Sequence, residues 1–249
     1  MNIIDRMRSN FVIIGHRGLP SKYPENTVLS FKNAFKYTDF VELDVHLSKD
    51  NKVYVIHDFN LKKLGNVDKN IEDMYSYEID NIKIGNENIP QLIELLNTFR
   101  DKYFLIELKT IDDSGRAIRN DVARKTIDVI KKSGMEKHVY IISFNPYSLN
   151  EAKKTDGNIP LGLDYCKTSR KYIGKIDYND LKEMGISLFL PEFNMECKNI
   201  FLELMDKDIF VIPWTVDNKK DAIDAFNMNL NGIITNKVDE LSQIKEIIK

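Results

Sequence analysis

Phe40-Val41-Glu42-Leu43-Asp44-Val45-His46-Leu47 is an apolar run in which acidic and imidazole side chains take alternate places, the period of a β-strand whose two faces meet different surroundings. Glu42 and Asp44 therefore project to one side. His46 shares that face farther along. On either side of this run the chain alternates between apolar, β-branched stretches and helical patterns. Further strands are predicted at residues 11–14, 104–108, 139–142, 159–163, 187–190, 210–213 and 232–235. Val28, Phe31, Ala34 and Phe35 form one helical stripe, Ile118, Val122, Ile127 and Ile130 another, and Val238, Leu241, Ile244 and Ile248 a closing one. About eight strand–helix units are what a closed (β/α)8 barrel uses, so the prediction is an α/β TIM barrel in which residues 1–249 form a single domain. Two segments break the rhythm. Residues 51–55 pattern as a hairpin partner of the 40–47 strand, and 58–89 are polar, Asn- and Lys-rich and weakly periodic, as expected of an insertion over one mouth of the barrel.

Composition narrows the partners. Of 249 residues 43% are hydrophobic, enough for one large core, and 36 Lys and Arg against 38 Asp and Glu leave a net charge of -2. No basic surplus calls for nucleic acid, so any phosphate recognition should be local. Cys166 and Cys197 have neither zinc-ligand spacing nor neighbouring histidines, which fits ordinary thiols in a reducing compartment. The first residues carry no long apolar segment with a cleavage site, and no run approaches the ~20 apolar residues of a membrane span. A soluble, cytoplasmic protein without stable membrane insertion is expected; its oligomeric state is not encoded in these features.

The chemistry gathers at strand ends. Glu107 and Lys109 repeat the two-residue spacing of Glu42 and Asp44, so if their strands are neighbours, three carboxylates and an ammonium converge at the carboxyl end of the barrel. A buried oxygen-only trio suits a hard divalent ion, Mg2+ or Ca2+, better than zinc. Taken alone, Glu107 and Lys109 also fit an ordinary ion pair, with Glu42 and Asp44 facing solvent. His16 and His57 weigh against that reading, since each directly follows an apolar run and would stand beside the acids. Two such imidazoles can serve as general acid and base, and Arg17 offers a planar fork for phosphate oxygens. His46 reads as a rim or hydrogen-bonding residue, and His138 lies at the opposite, amino end of its strand. Trp214 fits a core position and a substrate wall equally well. Gly162-Leu163-Asp164-Tyr165-Cys166-Lys167-Thr168 lacks the second glycine before Lys that a phosphate loop needs.

His16-Arg17-Gly18, Pro24-Glu25-Asn26-Thr27, Glu42-x-Asp44, His57-Asp58, Glu107-x-Lys109 and Trp214-Thr215-Val216, in this order through nearly the whole chain, resemble the motifs of the glycerophosphodiester phosphodiesterases. The resemblance implies a TIM barrel with a small insertion after the second strand. It implies hydrolysis of a small-molecule glycerophosphodiester to glycerol 3-phosphate and an alcohol with a divalent metal. By matching position, Glu42, Asp44 and Glu107 would bind the metal, Arg17 and Lys109 the phosphate, and His16 and His57 would exchange protons through a cyclic phosphate. The expected order has His57 as first base and His16 as first acid. The chain departs from the family pattern at Lys62-Lys63-Leu64-Gly65-Asn66 and at Thr235-Asn236, where an aspartate is common; the departures bear on the head-group pocket and leave the phosphate centre as the resemblance implies. Two other readings compete. A lysophospholipase D-like enzyme would need an acyl groove, for which Met74, Tyr75 and Tyr77 are candidates, and a silent barrel would bind a phosphorylated ligand without turnover.

Overall fold

The structure, a computed structural model, describes residues 2–8, 11–111, 119, 121–193, 203–204 and 207–244. In chain order its strands are β1 (Val12–Gly15), β2 (Phe40–Leu47), β3 (Val53–Val55), β4 (Lys83–Ile84), β5 (Glu87–Asn88), β6 (Tyr103–Leu108), β7 (Val139–Ser143), β8 (Leu161–Tyr165), β9 (Ile186–Pro191), β10 (Phe210–Val211) and β11 (Gly232–Thr235). Every predicted barrel strand is present, and β2 has the predicted bounds. β8 starts two residues later than the pattern suggested. Pro160 has no N–H to give the ladder, and only its carbonyl takes part, accepting from the Ile141 N–H at 3.1 Å.

The parallel strands lie in the order β10-β9-β8-β7-β6-β2-β1-β11, with β3 antiparallel on β2 as the short hairpin partner. Between β10 and β11 the ring is sealed outside the regular ladder. Asn231 N–H donates to the Val211 carbonyl at 3.0 Å and Ile234 N–H to that of Pro213 at 2.9 Å. The Asn231 side-chain oxygen accepts from Val211 N–H at 2.7 Å. These bonds complete a (β/α)8 barrel.

Period two sorts the strand residues between two cores. Val41, Leu43 and Val45 point outward and pack with Phe31, Ala34, Leu95, Ile127 and Ile130 of the surrounding helices. The helix Val28–Ala34 starts on Thr27, whose hydroxyl accepts from Ser30 N–H at 3.2 Å, an N-cap that satisfies one orphan donor. The helix Val122–Ser133 stops at Gly134, which is left-handed. Ile118 and Ile248 of the predicted stripes, and Cys197, lie outside the described residues.

Inward-facing Val12, Ile14, Phe40, Leu105, Tyr140, Ile142, Leu188, Leu190 and Ile212 fill the lower barrel, and Ile3 and Met7 of the helix Ile3–Arg8 join them from below. Gly162 occupies an inward position where a Cβ would come within 2.9 Å of both Ile142 and Leu190. Its missing side chain is what lets those two meet.

Residues 58–89 are more ordered than their polar composition suggested. They fold into the short helices Lys62–Gly65 and Ser76–Ile79 and the β4–β5 hairpin. Leu61, Ile71, Met74, Ile79, Ile82 and Ile84 form a separate small core with Tyr54 and Ile56. Among the described residues no helix is long and apolar enough to cross a membrane.

Candidate active site

Each barrel strand carries its inward face upward, two residues at a time, until apolar filling gives way to charge. On β2 the sequence of inward positions is Phe40, Glu42, Asp44, His46. On β6 it is Tyr103, Leu105, Glu107, then Lys109. The two strands are direct neighbours and pair Asp44 with Glu107 in register. Glu42, Asp44 and Glu107 are all buried, and each offers an oxygen within 4.8 Å of the others.

Cations hold this cluster together. Arg17 Nε lies 3.2 Å from Asp44 Oδ2, and its Nη1 donates to Glu25 Oε1 at 3.0 Å. Lys109 Nζ donates to Glu107 Oε1 at 3.0 Å and stands 3.6 Å from Asp44 Oδ1. The turn after β1 supports the arrangement with unusual backbone: Arg17 has φ 51 and Gly18 φ 92. That turn aims Arg17 N–H at Glu42 Oε2, 3.1 Å away. At Gly18 a Cβ would fall 2.4 Å from the Ser30 hydroxyl. A left-handed non-glycine residue is strain that the surrounding bonds must hold in place.

The acids respond differently to one burial. Burial, with Asp44 and Glu107 alongside, pushes the Glu42 carboxyl well above its usual range. Burial also raises Glu107, to about 7, against the pull of Lys109. For Asp44 burial pushes upward too, but Arg17 and Lys109 outweigh it and hold this carboxyl well below the usual range. Asp44 Oδ1 is buried and accepts no hydrogen bond. Three clustered carboxylates, two destabilised as anions and one with an unused oxygen, fit a hard divalent ion.

The histidines stand at the same mouth with different support. His57 pairs its Nδ1 with Asp58 Oδ1 at 2.8 Å. His16 Nδ1 meets Asn236 Oδ1, also at 2.8 Å. Burial and the Arg17 charge push the His16 imidazole down to about 4, and burial also lowers His57. His46 does make a hydrogen bond, through Nε2 to the His57 carbonyl at 3.0 Å. It is buried rather than on the rim, because Phe59 of the inserted stretch lies over it. His138 stacks on Tyr103 at 4.9 Å at the far end of the barrel.

His16, Arg17, Glu42, His57, Glu107, Lys109 and Trp214 line one cavity of about 270 Å3. Asp44 lies just behind its wall. The Trp214 indole is fixed by its N–H, which donates to the Leu190 carbonyl at 2.8 Å. The residues assigned to the site from the sequence thus gather at one mouth of the barrel. Three others were missed. Asn26 donates from Nδ2 to Asp44 Oδ2 at 2.9 Å, so the turn Pro24-Glu25-Asn26-Thr27 orients an acid as well as starting a helix. Asn236 accepts at Oδ1 beside His16 Nδ1, so it supports an imidazole at the centre of the site. Asp164, in the run set aside as no phosphate loop, lines the cavity. Its signal was the same two-residue step from Gly162 that marks the other inward positions.

The model of the Glycerophosphoryl diester phosphodiesterase family matches residues 16–240. This chain belongs to that family. The match spans every motif at the cavity. A glycerophosphodiester phosphodiesterase from Caldanaerobacter subterraneus subsp. tengcongensis is 32% identical over 246 residues, 92% of this chain and 96% of its own. Among solved structures of the family, the glycerophosphodiester phosphodiesterase from Thermotoga maritima is 25% identical with a TM-score of 0.79, covering 94% of this chain and 98% of its own. The same fold occurs in an Oleispira antarctica phosphodiesterase in complex with the product sn-glycerol-3-phosphate, 20% identical with a TM-score of 0.76 and covering 95% and 96% of the two chains.

Proposed function

We propose that this phosphodiesterase hydrolyses glycerophosphodiesters to sn-glycerol 3-phosphate and an alcohol, and that it works as one domain in which residues 58–89 are an insertion. The observation that carries the reading is the meeting of two imidazoles, three clustered carboxylates and two fixed cations around one cavity. Glu42, Asp44 and Glu107 would hold Mg2+ or Ca2+; when bound, the ion offsets negative charge on a phosphate oxygen and makes a nearby hydroxyl easier to deprotonate. Arg17 and Lys109 bind the remaining phosphate oxygens and stabilise the charge that grows on them. Trp214 forms a wall. The sparse cysteines support a cytoplasmic setting.

The two histidines divide the proton transfers. Asn236 spends Nδ2 on Asp217 Oδ2, 2.7 Å away, so its Oδ1 must face His16. A carbonyl oxygen only accepts, which puts the His16 proton on Nδ1 and leaves Nε2 as a lone pair. His57 is backed instead by the Asp58 carboxylate, whose pull toward the protonated form works against the burial that lowers this imidazole. We therefore assign His16 as first base, taking the proton of the glycerol 2-hydroxyl, and His57 as first acid, protonating the departing alcohol. This reverses the order expected from the sequence, where the pairing of His16 with Asn236 was not visible. Water then opens the cyclic phosphate with the roles exchanged.

Release of glycerol 3-phosphate from glycerophosphocholine and glycerophosphoethanolamine, first with chelator and then with added Mg2+ or Ca2+, tests the reaction. Metal-dependent release is expected, and no release under any of these conditions overturns it. Glu42→Gln should weaken metal binding by roughly tenfold or more in calorimetry; an unchanged titration removes Glu42 from the site. A lysophospholipid substrate finds less support. Met74 is buried in the small core of the inserted stretch and cannot line a groove, and only Tyr75 and Tyr77 of that trio are exposed, stacked on each other.

A further inference from the structure

Asp164 has no task in the chemistry above, yet it lines the reaction cavity from the end of β8. Its residue is 4% exposed. Its Oδ2 is buried and accepts no hydrogen bond. A buried carboxylate without a partner is among the more expensive groups a protein can keep. Lys109 is the cation whose field reaches it, but that ammonium is already bonded to Glu107 and close to Asp44. Burial foremost, and then the Glu107 charge, pushes the Asp164 carboxyl well above its usual range. The group is short of one positive charge.

The charge inventory of the mouth leads to the same place. A divalent ion, Arg17 and Lys109 together match Glu42, Asp44, Glu107 and the single charge of a bound phosphodiester. Glu25 lies outside this balance, since its side chain stays 24% exposed. Asp164 is left over, and it shares its cavity with two aromatic rings. Phe144 and Trp214 both line it and pack edge to face at 5.5 Å. Rings beside an unpaired carboxylate are the surroundings that recognise an organic ammonium: the ring quadrupole attracts the cation and the carboxylate neutralises it. Among the described residues no further cation lines this wall, and a cationic substrate group would supply the charge.

We propose that Asp164, with Phe144 and Trp214, forms a subsite for a positively charged alcohol, an ethanolamine- or choline-type ammonium, so that the preferred substrates are glycerophosphodiesters with a cationic leaving group. This rests on the phosphodiesterase reading above. It makes Asp164 a specificity determinant with no part in bond breaking.

The test measures kcat/KM for glycerophosphoethanolamine, glycerophosphocholine, glycerophosphoglycerol and glycerophosphoinositol with the wild type and with Asp164→Asn, which keeps the volume and removes the charge. The wild type should prefer the two cationic diesters, and the cationic-to-neutral ratio should fall by about tenfold or more in the variant. A wild type with no such preference, a variant that loses all four substrates equally, or a variant with an unchanged ratio overturns the subsite. If the wild type cleaves none of the four, the phosphodiesterase reading itself fails, and that outcome is separate. Metal titration of the substrate-free proteins should coincide; weaker binding by Asp164→Asn would make this residue a metal ligand instead. A second measurement needs no variant. Choline should inhibit the wild type at concentrations where its uncharged isostere 3,3-dimethylbutanol does not, and equal inhibition by the two again removes the subsite.

Discussion

The lower and upper halves of the barrel interior are made by the same strands, two residues apart, and they obey opposite rules. Below, Phe40 and Leu105 meet Tyr140 and Ile142 in an apolar filling, with the Tyr140 hydroxyl paired to Ser187 Oγ at 3.2 Å. Above, Glu42 and Glu107 continue the same two faces and are buried almost as deeply, at 3% and 8% exposure. The lower half stabilises by removing apolar surface from water. The upper half holds groups that burial penalises, kept in place by Arg17 and Lys109. Stability and chemistry are thus separated along each strand rather than between strands, which is why a two-residue step decides what a side chain is for.

That separation can be broken from either end. Leu105→Ala should cost about 2–5 kcal/mol of stability while leaving metal affinity and KM within about twofold of wild type, as read by denaturant unfolding and calorimetry. A large loss of metal affinity in this variant would show that the halves are coupled. Smaller in free energy, His16→Ala and His57→Ala should each lower turnover by ~100-fold or more with unchanged unfolding midpoints. With a p-nitrophenyl diester, whose leaving group needs no proton, single-turnover release of p-nitrophenolate should be largely restored in His57→Ala and little restored in His16→Ala. Rescue of His16→Ala instead would reverse the assigned order.

The smallest expected effect concerns pH in metal-free protein. The folded Glu107 carboxyl is raised to about 7 from 4.5, so between those values the unfolded chain ionises first and stability falls as pH rises. His16 and His46, each lowered to about 4 from 6.5, act in the other direction over most of this window, since they bind protons better when unfolded. The difference between Glu107→Gln and wild type isolates the carboxyl. In chelator this variant should gain on wild type by on the order of 1–2 kcal/mol between pH 4.5 and 7. A constant difference across that range would show that Glu107 does not change charge there.

Much of this arrangement was legible because a strand's period reports which face is which. Phe40–Leu47 announced both its bounds and its acidic side, and His16 and His57 were marked by following apolar runs. What stayed hidden depended on partners distant in sequence. Nothing near His16 indicates that Asn236, 220 residues later, sits behind its imidazole. Asp164 was masked by its setting, because a lone carboxylate in the run Leu161–Tyr165 has no second acid or histidine two residues away to mark its face. The inserted stretch hid its small core for another reason: Leu61, Ile71, Ile79 and Ile84 lie on different turns and share no single period.

The helix Ile3–Arg8 gives the barrel one more property. Its Ile3 and Met7 enter the interior from below, and Arg6 ties it to Asp39 at 2.9 Å, yet it takes no place in the strand ladder. The floor is therefore a cork and not a stave. Drawing it out breaks no inter-strand hydrogen bond, so a partial opening that admits water to Phe40 and Ile142 is expected to cost less than global unfolding. Such an opening would make the end remote from the chemistry a service entrance, and amide exchange in this helix is expected to be faster than in the strands it closes.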